Sequence, residues 1–164
     1  RDLLMGDSST FRYTSGSRKF TRTRNSLKKF SFAIPAAASA IDNGYETDEA
    51  LTVQVKAANE EVYIKPEYLV IKVSGIDTGG TPATALTIRI TTDAAGDDTI
   101  FPDTQATLST GVTTATTGVA AYSIGLPFVD TASTATTFYL FIKTDVADPV
   151  AIESADLYCI VESF

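Results

Sequence analysis

The 164-residue chain has no histidine and no tryptophan, and it has only one cysteine and one methionine. Without histidine there is no imidazole general base, no Ser-His-Asp or Cys-His pair, and no histidine-containing zinc site. Without a second cysteine no intrachain disulfide forms, so the fold needs no oxidising compartment. Cys159 alternates with Leu157 and Val161, the pattern of a small buried apolar residue and not of a reactive thiol. Long apolar runs are missing too, since no stretch approaches the ~20 residues of a membrane span. Nor does a charged-then-apolar leader open the chain, so neither a membrane partner nor a secretory signal is expected.

Other chemistry is excluded by spacing. Gly79-Gly80 is followed by Thr81-Pro82 where a phosphate loop needs Lys and then Ser or Thr. No carboxylate pair stands out for glycoside hydrolysis, and without tryptophan the chain offers a poor sugar-stacking platform. The densest acidic cluster, Asp93-Ala94-Ala95-Gly96-Asp97-Asp98 with Asp103 behind it, lacks the spacing and the bidentate Glu of an EF-hand. It reads as a solvated turn. No catalytic residue, cofactor or metal ligand set is expected, and the chain is read as not an enzyme.

What is present points to β-structure and to partnership. Threonine is abundant, at 25 residues. It is β-branched, loses χ1 freedom in helices and suits a half-exposed pleated surface. Charge is divided sharply along the chain. The first 30 residues carry eight basic side chains (Arg1, Arg12, Arg18, Lys19, Arg22, Arg24, Lys28, Lys29) against Asp2 and Asp7, a net +6. The remaining 134 carry five basic and eighteen acidic groups, a net −13. A basic arm on an acidic body is suited to lying against something else.

The arm and hinge are assigned to residues 1–48 and the body to 49–164. Residues 6–29 show no hydrophobic period of 3.6 or 2 and cannot bury enough apolar surface alone to offset their ordering entropy. Yet aromatic rings, Phe11, Tyr13, Phe20, Phe30 and Phe32, are spaced along this end of the chain. Rings of this kind serve as anchors in a neighbour's pockets, with charges around them. The expected interface in the arm is Phe11, Arg12, Tyr13, Arg18, Lys19, Phe20, Arg22, Arg24, Lys28 and Lys29. Three fates compete for it: a solvated tail, nucleic-acid binding through phosphates and stacking, and docking on protein subunits. Residues 33–41 read as an extended hinge, and Asp42-Asn43-Gly44 as a turn.

In the body, Leu51, Val53 and Val55 alternate with polar residues, as do Leu86, Ile88 and Ile90. Further strands are expected at 62–65, 68–73, 99–101, 105–109, 119–126, 136–143 and 150–162, with breaks at Pro66 and Pro102. The prediction is an all-β fold, an antiparallel β-sandwich of jelly-roll type preceded by the extended basic arm. Two strands are apolar on both faces, Phe138–Ile142 and Leu157–Val161. A sandwich strand normally shows one face to water, so their outer residues Tyr139, Phe141, Tyr158 and Ile160 are expected to be covered by the chain's own loops or by another subunit.

The stretch Thr99 to Gly118, then Ala120-Ala121-Tyr122, then Thr137 to Lys143, resembles virion structural proteins of tailed bacteriophages, particularly those of marine hosts. The resemblance implies a β-sandwich virion part with no active site, and it assigns no role to particular residues. The expectation is a capsid decoration (cement) protein on the capsid exterior. Its arm would bind the major capsid protein or other virion subunits, and its body would form a homo-oligomer, a trimer by analogy with capsid three-fold sites. Two alternatives stand beside it. One is an appendage or carbohydrate-binding module using Tyr45, Tyr63, Tyr68 and Tyr122. The other is a small coat protein whose arm binds nucleic acid.

Overall fold

The computed structural model describes residues 12–15, 18–21, 25–35, 40–45, 50–56, 62–76, 80–114, 116–131, 134–147 and 149–163; at 12–15, 18–21, 25, 62 and 163 the backbone alone is described. The described residues are strands and loops. Their pairings are antiparallel throughout.

Two sheets make the body. One has the order β3 (Asn25–Ser31), β12 (Val150–Ser163), β6 (Val62–Gly75) and β9 (Thr117–Ser123). The short strands β4 (Ala40–Ile41) and β10 (Val129–Asp130) add to β12 and β6. The other has the order β5 (Leu51–Val55), β11 (Thr136–Thr144), β7 (Ala83–Thr91) and β8 (Thr99–Val112). Leaving aside the two-residue strands, the eight body strands in chain order fall as first-eighth-third-sixth against second-seventh-fourth-fifth. That order is the jelly roll.

The core follows from the two-residue period. Leu69, Ile71 and Val73 of β6 and Leu157 and Cys159 of β12 are buried, and so are Leu51, Val55, Ile88, Ile90 and Leu140 of the second sheet. Full burial of each large aliphatic side chain contributes roughly 1.5–3 kcal/mol. One polar tie crosses the core: the Tyr122 hydroxyl donates to the Leu86 carbonyl at 2.6 Å, joining β9 to β7. At the end where β6 leaves its sheet the packing is tight, and a Cβ at Gly75 would lie 2.0 Å from the Thr113 carbonyl oxygen. No larger residue fits there.

Among the longer strands of the body, three differ most from their sequence reading. Residues 25–31, assigned to the arm, run along β12 from Asn25↔Glu162 to Ser31↔Asp156 as the first strand of the jelly roll. The reason is local: only Phe30 of this edge strand packs against the core, so no alternation shows. β6 is continuous through Pro66, because the missing N–H falls where the pairing with β12 shifts register next to Tyr158 and Cys159. β8 passes through Pro102 because it is the edge of its sheet and needs no donor on its outer side.

Candidate assembly surfaces

Before β3 the chain forms a separate two-stranded sheet, β1 (Arg12–Ser15) with β2 (Arg18–Thr21). Its register sets Arg12 opposite Thr21, Tyr13 opposite Phe20, Thr14 opposite Lys19 and Ser15 opposite Arg18. Of the expected arm residues, Phe11, Arg22 and Arg24 lie outside the described residues. Arg12, Tyr13, Arg18, Lys19 and Phe20 are placed by this register alone. Lys28 and Lys29 are exposed on β3, with Lys28 Nζ 5.3 Å from the centre of the Phe30 ring. Lys29 is paired with Tyr158. These two lysines therefore sit on the body sheet's edge. Charge on an edge strand discourages indiscriminate pairing with other chains.

The two strands with apolar residues on both faces meet different surroundings. On the outer face of the β5–β11–β7–β8 sheet, Phe141 is 4% exposed. The chain covers it itself. The Tyr45 ring stands edge-on to Phe141 at 6.3 Å, and a Cβ at Gly96 would come within 3.1 Å of the Phe141 ring. Gly96 has φ +84°, a left-handed conformation that a side chain would strain as well as crowd. Tyr45 is itself held between two cations, with Arg89 Cζ 4.8 Å and Lys143 Nζ 4.6 Å from the ring centre. Arg89 in turn pairs with Asp103, Nε to Oδ1 at 2.7 Å, which holds the Asp103 carboxyl below its ordinary range. The Tyr45 hydroxyl is buried close to the Asp103 carboxyl; burial, followed by the nearby Asp103 charge, pushes its pKa up. Tyr139, also on this face, is half-buried.

The loop that covers Phe141 is the acidic turn singled out in the sequence. Asp93 accepts the backbone N–H groups of Asp98 at 2.7 Å and Asp97 at 3.2 Å, and these donors lower its pKa. Its oxygens are used to shape the loop. Among the described residues no group of three His, Cys, Asp or Glu could hold a metal ion.

The outer face of the β3–β12–β6–β9 sheet is open by contrast. Since Leu157 and Cys159 point inward, Tyr158 and Ile160 point outward, and both are only half-buried. Pairing places Tyr68 beside Tyr158 and Leu27 beside Ile160. Tyr68 is 49% exposed, Leu27 58%, and Tyr63 and Val119 37% each. These four are most of the six exposed large apolar or aromatic side chains among the described residues, and they share one face. Lys29, Lys65 and Lys72 are interleaved with them, with Asp156 and Glu162 in the flanking rows. The sequence reading chose Tyr158 and Ile160 and missed Leu27, Val119 and Val70 on the same face. Cross-strand register, which brings them together, is not written in any single strand.

The four tyrosines named as a glycan platform do not converge. Tyr63 and Tyr68 are on this open face, Tyr45 is on the opposite outer face, and Tyr122 is buried in the core. Tyr122 cannot stack on a sugar. Cys159 is fully buried, and burial alone pushes its thiol up to about 12.

No family model and no curated protein matches the chain. Among solved structures, the chain is similar to the extra small virus of the giant freshwater prawn Macrobrachium rosenbergii, seen as a virus-like particle. Identity is 12% and the TM-score 0.38, with 100% of this chain and 96% of that one covered. It is also similar to VP2 of infectious bursal disease virus in a subviral particle, at 13% identity and TM-score 0.31. That match covers 91% of this chain, which spans 36% of the VP2 chain.

Proposed function

We propose that this chain is a non-catalytic structural subunit of a virus particle, built from a jelly-roll body and held to its neighbours by the basic arm. Jelly rolls occur in viral shells, lectins and cupins, so the fold alone does not choose. The observation that carries the reading is the charge and surface division of one small chain. The 24 residues before β3 hold six basic and two acidic groups, while residues 25–164 hold seven basic and eighteen acidic. The arm therefore suits an acidic protein surface, and the body offers an open aromatic sheet face to a further neighbour. A cupin-type site would need a cluster of metal ligands in the core, and the described core is apolar.

The narrower proposal is a decoration protein on the capsid exterior. A body of net −11 is repelled by packaged nucleic acid and is better placed outside. Its partners would be the major capsid protein and copies of itself, as a trimer by analogy with capsid three-fold positions. Repetition over a symmetric shell would multiply weak arm contacts into strong attachment.

The test is deletion of residues 1–24, a cut that stops before the first body strand. The truncated protein should keep a β-rich circular dichroism spectrum and cooperative melting while losing attachment to particles in co-sedimentation. Undiminished attachment contradicts the proposal. If the arm instead binds the genome, affinity for nucleic acid will fall steeply with salt, by roughly 0.9 log units per phosphate contact for duplex DNA.

A further inference from the structure

We infer that Asn43 is a self-modification site: the backbone nitrogen of Gly44 attacks its side-chain amide, the Asp42 carboxylate takes the Gly44 proton, and Asn43 ends as isoaspartate. The inference does not depend on the structural-subunit reading. Of the chain's three asparagines, Asn25, Asn43 and Asn59, only Asn43 is followed by glycine. A neighbour without a Cβ leaves its nitrogen open to ring closure and lets the backbone bend to reach it. The fold adds what the dipeptide lacks. Asn43 is exposed in the bend that follows β4, and among the described residues none bonds to its side-chain amide. The Gly44 N–H, whose proton must leave, donates to Asp42 Oδ1 at 2.8 Å. That distance is within the reach required of a general base, and it falls on the atom that becomes the nucleophile.

The reaction balances with water alone. The bond from Gly44 N to Asn43 Cγ forms, the Cγ–Nδ2 bond breaks, and the proton taken by Asp42 leaves on the ammonia. Water then opens the succinimide. Attack at the main-chain carbonyl routes the chain through Cγ and gives isoaspartate, while attack at Cγ gives aspartate. The product forms next to the cover over β11. The Asp42 carbonyl is anchored by the Thr144 N–H at 2.7 Å, and the Tyr45 ring stands edge-on to Phe141 at 6.3 Å. Isoaspartate adds a methylene to the main chain between these two fixed points. Converted copies should therefore hold Tyr45 less firmly over Phe141 and melt below fresh ones.

The experiment incubates the full chain at neutral pH and physiological temperature. Isoaspartate is located by peptide mass spectrometry with electron-transfer fragmentation and by isoaspartyl methyltransferase labelling. Conversion is expected at Asn43 well ahead of Asn25 and Asn59. Asp42→Asn keeps an oxygen for the Gly44 N–H but removes the base. It should slow conversion about tenfold, low for a positioned base because a carboxylate is weak toward an amide N–H. Gly44→Ala should slow it by at least about tenfold through crowding at the nitrogen. Among the described atoms a Cβ at Gly44 meets Asp42 Oδ1 at 3.5 Å, an ordinary contact, so that variant should fold. Circular dichroism and melting check both variants. Conversion at Asn43 no faster than at the other two asparagines overturns the inference. So does an Asp42→Asn chain that converts as fast as wild type or faster, since the hydrogen bond would then guard the nitrogen. Converted chain, separated by ion exchange, that melts as fresh chain does overturns the link to the Tyr45 cover.

Discussion

The two outer faces of the sandwich start from the same sequence pattern and end differently. Phe138–Ile142 and Leu157–Val161 are both apolar on both sides. Over the first, the chain folds Tyr45 and the Asp93–Asp98 turn back onto Phe141, with Arg89 and Lys143 closing over the tyrosine. Over the second, Tyr158 and Ile160 are left half-exposed beside Tyr68 and Leu27. An outward apolar residue can thus be covered within the chain or left at the surface. Substitutions on the first face should act on folding, and those on the second on association.

The largest expected effect is Phe141→Ala. It empties a site that is 4% exposed and should cost about 3 kcal/mol in denaturant unfolding. A cost below about 1 kcal/mol would mean that the cover over β11 is loose, and the two faces would no longer differ. Gly96→Ala comes next, since it adds a left-handed strain of about 1–2 kcal/mol to a 3.1 Å approach on the ring. The same assay checks it.

A smaller and pH-dependent effect is expected from Asp93→Asn. The backbone N–H of Asp98, then that of Asp97, holds the Asp93 carboxyl below its ordinary 3.8. A carboxyl lowered in the folded state stabilises above the unfolded pKa, and the contribution is lost as pH falls through the folded value. The variant should therefore melt slightly below wild type at neutral pH, and the gap should close as pH drops below 3.8. A gap that widens in acid contradicts the assignment. The smallest effect on folding is Tyr158→Ser, within about 1 kcal/mol of wild type in the isolated chain. Its consequence should appear in assembly instead.

How much of this was legible in the sequence varies with burial. The strands whose inner residues fill the core, such as Leu51-Val53-Val55 and Leu86-Ile88-Ile90, announced themselves through alternation. The opening strand did not: of Asn25–Ser31 only Phe30 reaches the core, while Lys28 is exposed and laid over that same ring. Pro66 and Pro102 looked like breaks, because the sequence does not say which positions fall at a bulge or on a sheet edge. The open face was half legible. Tyr158 and Ile160 could be picked from their own strand, but Tyr68, Leu27 and Val119 join them only through pairing across four strands. Tyr45 as the cover of Phe141 was not legible at all, since nearly one hundred residues separate the two.

The central claim is that the β3–β12–β6–β9 face is an association surface, and light scattering of the purified full chain tests it most directly. The wild-type protein should run as a defined multiple of 17.4 kDa, and the double variant Tyr68→Ser, Tyr158→Ser as a folded species of 17.4 kDa. A wild-type chain that is a stable folded monomer at every concentration, or a double variant that assembles as wild type does, would contradict it.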